Sequence, residues 1–304
     1  MFKHILVPLD GSQLAESALP VAAYMAEKLA AMVTLIHVIE HHAPREVHGQ
    51  PHLRTVQEAE LYLQEIGTRW FAKTRLLNYH VHTAGVAYVA RSIVEHRGEL
   101  DYDLVIMCSH GQGKARQLFM GSIAQTIIGL GAIPVLLVHP DVTGTLAAFS
   151  CSTILVPMDN DPDHAQALPV AKALAGTFGA ALQISMVIEL FTTLSGVKAV
   201  TSRLLPGTTS RLLEISVVNG EKFVQQLLGQ LIDQGYQASA EVLRGDPAGV
   251  IVKSARTKKA DLIVLATHGK SGLEAFWAGS FSHKLCSLCT TPLLLIPVAC
   301  DPAQ

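Results

Sequence analysis

The sequence predicts an α/β fold made of two tandem, doubly wound domains, each with a five-stranded parallel sheet covered by helices on both faces. The first observation is a repeat: the segment Ile5–Asp10 returns as Ile154–Asp159, 149 residues later. The second is that short runs rich in Val, Ile and Leu alternate with longer segments of helical period. This alternation is typical of parallel strands buried on both faces by crossover helices.

The repeat extends to the second half of each copy. Ser109–Gly111 and Gly121-Ser122 return as Thr267–Gly269 and Gly279-Ser280, now at an offset of 158 residues. The second copy therefore holds nine extra residues near its middle. We expect two related sites, one in each copy.

Length and charge limit the classes of protein to which the chain can belong. Its 304 residues suffice for two domains, each of about 150 residues, and we place them at residues 1–140 and 151–304. With 23 basic against 25 acidic side chains, the chain lacks the positive charge that binding to a nucleic acid backbone requires. Nucleic acid is therefore not an expected partner.

Hydropathy and cysteine content indicate a cytoplasmic protein. The longest apolar stretch, Ile127–Val138, is interrupted by Gly129, Gly131 and Pro134 and falls short of the roughly 20 residues that a bilayer helix needs. The N-terminal residues show no secretory signal pattern, and five cysteines are too few and too irregular for a disulfide framework. We predict reduced thiols, no membrane insertion and a cytoplasmic location.

The predicted elements follow the same order in both copies. The apolar runs place the strands of the first copy near residues 3–9, 32–39, 79–84, 102–108 and 134–138. The corresponding runs of the second copy lie near residues 151–158, 181–188, 236–243, 260–266 and 292–297. Helical periodicity places helices of the first copy near residues 12–30, 53–76, 86–99 and 121–131. Ser12 and Asp246-Pro247 are typical helix starts.

Two strand ends in each copy are candidate ligand sites. Doubly wound parallel sheets bind ligands beyond the carboxyl ends of the strands at which the winding direction reverses. The first strand ends in Asp10 or Asp159, whose carboxylate can accept hydrogen bonds from a sugar or a base. An aspartate in this position also suits a helix N-cap or first turn, and this alternative stays open.

The fourth strand of each copy runs into a loop that contains glycines. Gly111 or Gly269 allows a sharp turn, and after nine further residues Gly121-Ser122 or Gly279-Ser280 opens a helix. Free backbone N–H groups, a hydroxyl and the positive end of the helix dipole then meet at one point, which predicts a phosphate-sized anion site. The alternative is an ordinary strand-to-helix turn, although such a turn needs no fixed spacing in both copies.

Together these residues resemble the universal stress protein family in its tandem-domain form, over nearly the whole chain. The nucleotide-binding members of that family carry a glycine, two residues, a second glycine, nine residues and then Gly-Ser or Gly-Thr, with an aspartate at the end of the first strand. This chain follows the pattern twice but has Cys108 and Ala266 at the first glycine. If the backbone there must approach the ligand closely, these side chains weaken binding.

The resemblance implies a role for each matching residue. Asp10 and Asp159 would contact the adenosine moiety, and Val38 and Val187, each 28 residues after its aspartate, would line the adenine pocket. The residues around the phosphates would be Gly111, Gly121 and Ser122 in the first copy and Gly269, Gly279 and Ser280 in the second, with Cys108 and Ala266 beside them.

The resemblance further implies a stress-response regulator that binds ATP, ADP or AMP, with or without Mg²⁺. It also implies an internal pseudo-dimer of the two copies, packed through their last strands near Val135–Val138 and Leu293–Ile296, and leaves a further homodimer open. Two other functions remain: a slow ATP hydrolase or autophosphorylating protein, and a dimerisation module that binds no nucleotide. The sequence shows no Walker-B-like acid and no candidate general base, so no catalytic residue is predicted.

Two further motifs suggest other chemistry. Gly269–Ser271 matches the end of a Walker A loop, but the glycine required five residues earlier is Val264. Cys286 and Cys289 have redox or zinc spacing but no second pair, so we interpret them as core residues.

The histidines allow a similar choice. A cluster after the second strand comprises His41, His42, His48 and His52. Because no helical pair or cysteine accompanies them, we interpret them as surface histidines rather than as a metal site. His110 and His268, beside the loop glycines, have no acid or nucleophile positioned next to them in the sequence, and we assign them a role in shaping the loop.

Overall fold

The computed structural model describes residues 1–40, 45–47, 49–74, 76–86, 89–95, 97–109, 121–131, 133–140, 146–159, 165–194, 196–268 and 281–298. The chain divides into two compact units. The first comprises Met1–Ser150 with Thr267–Ala278 and Pro292–Gln304, and the second comprises Cys151–Ala266 with Gly279–Thr291.

The first unit contains a parallel five-stranded sheet. Its strands, in chain order, are β1 (His4–Pro8), β2 (Met32–Glu40), β3 (Glu46–Val47), β4 (Gln50–Pro51), β5 (Leu77–Val86), β6 (Leu104–Cys108) and β7 (Val135–Val138). Strands β3 and β4 form a separate antiparallel ribbon. The others lie in the order β7-β6-β1-β2-β5 with every neighbouring pair parallel. The winding therefore reverses between β1 and β6.

The helices of the first unit are α1 (Gln13–Glu16), α2 (Leu19–Leu29), α3 (Val56–Trp70), α4 (Val89–Glu95), α5 (Arg97–Leu100) and α6 (Ser122–Leu130). Ser12 caps α1, as predicted: its hydroxyl oxygen accepts a hydrogen bond from the Ala15 N–H at 3.2 Å. The prediction of one helix over residues 12–30 is wrong. Pro20, in the first turn of α2, has no N–H with which to continue the ladder from α1, so the two helices are separate.

The second unit contains four parallel strands. They are β8 (Thr153–Met158), β9 (Ala181–Ile188), β10 (Ala238–Arg244) and β11 (Leu262–His268), in the order β10-β9-β8-β11. The helices are α7 (Ala167–Phe178), α8 (Gly196–Leu204), α9 (Pro206–Asp233), α10 (Pro247–Thr257) and α11 (Phe281–Leu288). Asp246 caps α10 by accepting a hydrogen bond from the Gly249 N–H at 3.0 Å, which confirms the predicted helix start.

The last strand of the second sequence copy, β12 (Leu293–Val298), lies in the first unit and pairs antiparallel with β7. The pairing places Leu293, Leu294 and Leu295 opposite Leu137, Leu136 and Val135, respectively. All six side chains are at most 2% exposed. The predicted apolar pairing of the two last strands is confirmed, as is the predicted α/β fold class.

The cysteines of the described residues form no disulfide. Cys286 and Cys289 on and after α11 are buried, as core packing predicts, and burial raises the pKa of both thiols. Burial likewise raises the pKa of Cys151 to about 12. These three thiols therefore stay protonated at neutral pH, where they are poor nucleophiles.

No helix within the described ranges combines the length and the apolar character that crossing a bilayer requires.

Candidate functional site

A cavity of about 230 Å³ lies at the carboxyl ends of β1, β2 and β6 in the first unit, where the winding of the sheet reverses. Its described lining residues are Pro8, Leu9, Asp10, Ala15, Ile36, His37, Val38, Glu40, Val47, His52, Val89, Ile93, Met107, Cys108, Gly121, Ser122, Ile123 and Ala124. Five residues of the predicted site thus share one cavity, namely Asp10, Val38, Cys108, Gly121 and Ser122. Gly111 and His110 lie outside the described residues.

Asp10 lies two residues beyond the end of β1 and is held by the turn into α1. Its Oδ1 accepts two hydrogen bonds from Ser12, one from the backbone N–H at 2.9 Å and one from the hydroxyl at 2.6 Å. Ser12 is fully buried. The carboxylate therefore shapes the local turn and also lines the cavity, so the structural and the ligand-binding interpretations of this aspartate are compatible.

The N-terminus of α6 lies on the β6 side of the cavity. Gly121 is the N-cap residue, and its own N–H donates to the Ser109 carbonyl oxygen at 2.9 Å. No hydrogen bond from a described side chain caps the helix. The first-turn N–H groups of Ser122, Ile123 and Ala124 have no acceptor within an α-helix, and all three residues line the cavity. An anion placed there would meet these groups and the positive end of the helix dipole.

Cys108, at the position of the family's first glycine, ends β6 and is half-buried at the cavity wall. Among the described non-glycine residues, positive φ angles occur at Ala30, Asp101 and Lys259. Cys108 and Ala266 therefore do not occupy a conformation that favours glycine, so their backbone geometry tolerates a side chain.

Two buried histidines line the cavity, and the sequence did not place either of them there. His37 on β2 is 2% exposed, and its Nδ1 lies 2.7 Å from the Leu9 carbonyl oxygen, the geometry of an Nδ1–H donor. His52 is 6% exposed, with its ring centroid 5.8 Å from that of His37. The interpretation of His52 as a surface histidine is wrong, because the chain after β2 folds back over the strand end. The signal in the sequence that could have indicated burial of His37 was its position inside the otherwise apolar run of β2.

The metal alternative concerned the histidine cluster that follows β2. His41, His42 and His48 lie outside the described residues. Among the described residues, no group of three or more His, Cys, Asp or Glu side chains is arranged to hold a metal ion.

The segment after the β3–β4 ribbon covers the Asp10 end of the cavity. The Gln50 side-chain oxygen accepts a hydrogen bond from the Gln13 N–H at 2.6 Å. Leu53 packs against Gly11, whose φ is +87° and whose missing Cβ would lie 2.9 Å from the Leu53 Cγ. The Leu53 carbonyl oxygen lies 2.9 Å from His52 Nδ1 and 3.3 Å from His37 Nε2. Gly11 therefore provides both the turn and the space that this cover needs.

We expect the protein to lose stability as the pH falls below about 6.5, because His37 is buried in its neutral form. Desolvation lowers the pKa of His37 from its ordinary value of 6.5; the Leu9 and Leu53 carbonyls and Asp10 oppose this shift, and His52 adds to it. Between the two pKa values the unfolded chain binds more protons than the folded one, so the free energy of unfolding decreases as the pH falls. One such group contributes at most about 1.4 kcal/mol per pH unit.

Urea unfolding at about pH 7.5, 6.5 and 5.5 measures this slope. The matched variant is His37→Asn, whose side-chain amide can still donate to the Leu9 carbonyl oxygen but does not titrate. We expect a shallower slope in this variant, with a remainder from His4, whose pKa burial also lowers. An unchanged slope would contradict the assignment to His37.

The predicted residues of the second copy lie at equivalent strand ends. Asp159 follows β8 and is exposed, Val187 near the end of β9 is half-buried, and Ala266 in β11 is buried. Gly269, Gly279 and Ser280 lie outside the described residues.

The second copy differs from the first at the wall of the site. At the offset of 149 residues, Ile36 and His37 correspond to Ser185 and Met186. Ser185 is fully buried, and its hydroxyl donates to Glu241 Oε1 at 3.0 Å. The second copy thus has a buried hydroxyl within β9, hydrogen-bonded to a carboxylate of β10, at the position where the first copy has the apolar side chain of Ile36.

A profile of the universal stress protein family matches the chain twice, over residues 1–139 and 151–297. The chain belongs to the universal stress protein family. The two matches account for the repeat in the sequence.

Members of the universal stress protein family are similar to about half of this chain. The universal stress protein YxiE of Bacillus subtilis is 29% identical over 147 residues, which are 47% of this chain and 97% of its own length. The universal stress protein MJ0531 of Methanocaldococcus jannaschii is 28% identical over 143 residues, 47% of this chain and 80% of its own length.

Solved structures extend the similarity to nearly the whole chain. A universal stress protein from Archaeoglobus fulgidus matches with a TM-score of 0.66 at 16% identity, covering 97% of this chain and 96% of its own. The functionally unknown protein PA1789 from Pseudomonas aeruginosa matches with a TM-score of 0.65 at 15% identity, covering 97% and 92%. At these identities the similarity shows a shared fold.

Proposed function

We propose that the protein is a cytoplasmic stress-response regulator that binds an adenine nucleotide, ATP, ADP or AMP, in the cavity of the first unit. The observation that carries the proposal is the meeting of a carboxylate, an apolar wall and a helix N-terminus around one cavity. These three features match a ribose, a base and a phosphate. Bound nucleotide would then bias the conformation or the partners of the protein.

The ribose and the base would lie between β1 and β2. A carboxylate can accept several hydrogen bonds at once, so the Asp10 carboxylate, which accepts two hydrogen bonds from Ser12, is suited to accept from ribose hydroxyls as well. The same two bonds fix the orientation of the carboxylate. Val38, with Ile36 and Val47 beside it on the cavity wall, offers apolar surface to the base.

The phosphates would lie at the start of α6. Ser122 supplies a hydroxyl as well as a backbone N–H, and Gly121 places no side chain in the way. Gly111 would complete this end of the site. Mg²⁺ would act here as a counterion of the phosphates, which commonly supply much of its coordination.

We extend the proposal to a second site at Asp159, Val187, Ala266, Gly269, Gly279 and Ser280. Because Ser185 and Met186 replace Ile36 and His37, we expect the two sites to differ in affinity. We also propose that the pairing of β7 with β12 joins the two sequence copies as an internal pseudo-dimer.

Thermal unfolding with and without ATP, ADP or AMP, each with and without Mg²⁺, tests the proposal. A ligand present at about 100 times its dissociation constant stabilises the folded state by about 2.7 kcal/mol. Asp10→Asn keeps an acceptor for Ser12 but loses the charge, and we expect it to weaken nucleotide binding about tenfold, since hydrogen bonds to charged groups are the stronger ones.

The matched control is Asp233→Asn, an exposed aspartate at the end of α9, which should leave nucleotide binding unchanged. If none of the three nucleotides raises the unfolding temperature, the proposal is refuted in favour of a dimerisation module. Incubation with labelled ATP distinguishes binding from chemistry: release of ADP, or a labelled protein, would indicate the hydrolase or autophosphorylating alternative.

A further inference from the structure

Two polar side chains line the cavity of the first unit where the chain turns back after β2. Glu40 is the last residue of β2, and His52 directly follows β4. Both line the same cavity as Val38 and Val47. Under the proposed function the base lies against that apolar wall, so Glu40 and His52 are placed to meet the polar edge of the base.

The hydrogen bond of the His52 ring determines which of its nitrogens is available. Its Nδ1 lies 2.9 Å from the Leu53 carbonyl oxygen, which can only accept, so Nδ1 carries the hydrogen. The Nε2 atom of the neutral ring is then an acceptor with a lone pair. Among the described residues no donor forms a hydrogen bond with this nitrogen, although the His52 side chain is only 2% exposed.

His37, the other histidine of the cavity, does not offer such an atom. Its Nδ1 lies 2.7 Å from the Leu9 carbonyl oxygen, and its Nε2 lies 3.3 Å from the Leu53 carbonyl oxygen. Both of its ring nitrogens therefore face backbone carbonyls. His52 Nε2 is the ring atom of this pair that is left for a ligand.

Glu40 places a second acceptor beside His52 Nε2. Its Oε1 lies 3.8 Å from that nitrogen, which is longer than a hydrogen bond. Because an ionised carboxylate can only accept, the two atoms are neighbouring acceptors without a hydrogen between them. An acceptor buried without a donor is unfavourable, and a donor supplied by a ligand would remove that cost.

An amino group can donate to both acceptors at once. A nitrogen about 2.9 Å from each of the two atoms, which are 3.8 Å apart, has them about 80° apart as seen from the nitrogen. The two N–H bonds of an aromatic amine diverge by about 120°, so each hydrogen would lie about 20° from the line to its acceptor, within the range of good hydrogen bonds.

We propose that His52 Nε2 and the Glu40 carboxylate recognise the exocyclic amino group of the base, and so make the first site selective for adenine. This inference rests on the proposed function, because it assigns specificity within that nucleotide site. Guanine and hypoxanthine carry an oxygen in place of the amino group. Bound in the same way, they would bring a third acceptor against these two.

Nucleotides that differ at this one group test the selectivity. Titration calorimetry on the full chain compares AMP with IMP, and ATP with ITP. We expect the adenine nucleotide to bind at least about 30-fold more tightly, since a site built to hydrogen-bond an N–H group rejects an analogue that lacks it. Purine riboside monophosphate, which has only hydrogen at this position, should bind with intermediate affinity.

Two substitutions of His52 separate the roles of its nitrogens. His52→Asn keeps an amide N–H near the position of Nδ1 for the Leu53 carbonyl oxygen but has no atom at Nε2. We expect it to lower the selectivity for AMP over IMP about tenfold. His52→Gln can place its amide oxygen near the position of Nε2, and it should keep the selectivity within about threefold of the wild type.

Glu40→Gln tests the second acceptor. It replaces a carboxylate with an amide that can also donate, and we expect it to lower the selectivity about tenfold. Because the Glu40 side chain is 41% exposed, this variant also tests the inference if His52→Asn does not fold, which circular dichroism shows. The matched control is Glu46→Gln, an exposed position on β3 that should leave the selectivity unchanged.

The outcomes distinguish this inference from the proposed function. Equal affinities for AMP and IMP, a preference for IMP, or a selectivity that survives both His52→Asn and Glu40→Gln would overturn the inference and leave the proposed function standing. If no adenine nucleotide binds at all, the proposed function is refuted, and this inference is refuted with it.

Discussion

Replacement of Leu136 by alanine is expected to lower the free energy of unfolding of the first unit by about 3 kcal/mol. Leu136 is fully buried, with Ile106 of β6 on one side and Leu294 of β12 on the other. Truncation of a leucine in such a place loses its transfer free energy and leaves a cavity that the two flanking strands cannot fill, which costs 2 to about 5 kcal/mol in other proteins. Urea unfolding followed by circular dichroism measures the change.

The control for this prediction is Leu61→Ala on α3. Leu61 is 68% exposed, so its truncation should change the free energy of unfolding by less than about 0.5 kcal/mol. If the two units unfold in separate transitions in urea, Leu136→Ala should lower the midpoint of the transition in which the first unit unfolds. A loss below about 1 kcal/mol would mean that β12 does not cover β7 in solution.

Gly11→Ala should lower the free energy of unfolding by about 2 to 4 kcal/mol. A non-glycine residue at the φ of +87° costs roughly 1 to 2 kcal/mol of backbone strain. The added Cβ would also lie 2.9 Å from the Leu53 Cγ and 3.0 Å from its Cδ1, so Leu53 must move. Because the Leu53 carbonyl oxygen is hydrogen-bonded to His52, this movement would disturb the segment that covers the cavity.

Gly49→Ala separates the cost of backbone strain at a positive φ from the cost of the contact with Leu53. Gly49 also has a positive φ, +76°, but no atom within 4 Å of its missing Cβ. We expect a loss of about 1 kcal/mol from backbone strain alone. The difference between the two variants in urea unfolding then measures the Leu53 contact. On the proposed function, Gly11→Ala and not Gly49→Ala should reduce the stabilisation by ATP; equal losses in both variants would contradict the role of Leu53.

Features that depend on neighbouring residues were predictable. The apolar runs of β1, β2 and β6 are buried on both faces, and such runs are recognisable without knowledge of their partners. Asp10 and Val38 lie near the carboxyl ends of their strands because the runs end there. The convergence of these ends at one cavity then followed from the doubly wound topology.

Features that depend on contacts between distant parts of the chain could not be predicted from the sequence. The break between α1 and α2 had a local signal in Pro20, but nothing near His52 in the sequence indicates that its ring is buried beside His37. The segment after β2 shows no helical or strand period, so its packing over Gly11 could not be predicted from the sequence. The length of α9 was signalled only as extra residues, without the exposed face that they create.

The sequence by itself determined that two copies of one α/β domain are present, that their strands are parallel, and that a carboxylate follows the first strand of each. These properties are set by local burial patterns and by the repeat. Only the tertiary structure decided that His37, His52 and Leu53 enclose the first site, that β12 pairs with β7, and that the first half of α9 contributes no buried residue. Each of these depends on contacts between segments far apart in the chain, for which the residues of either segment alone carry no pattern.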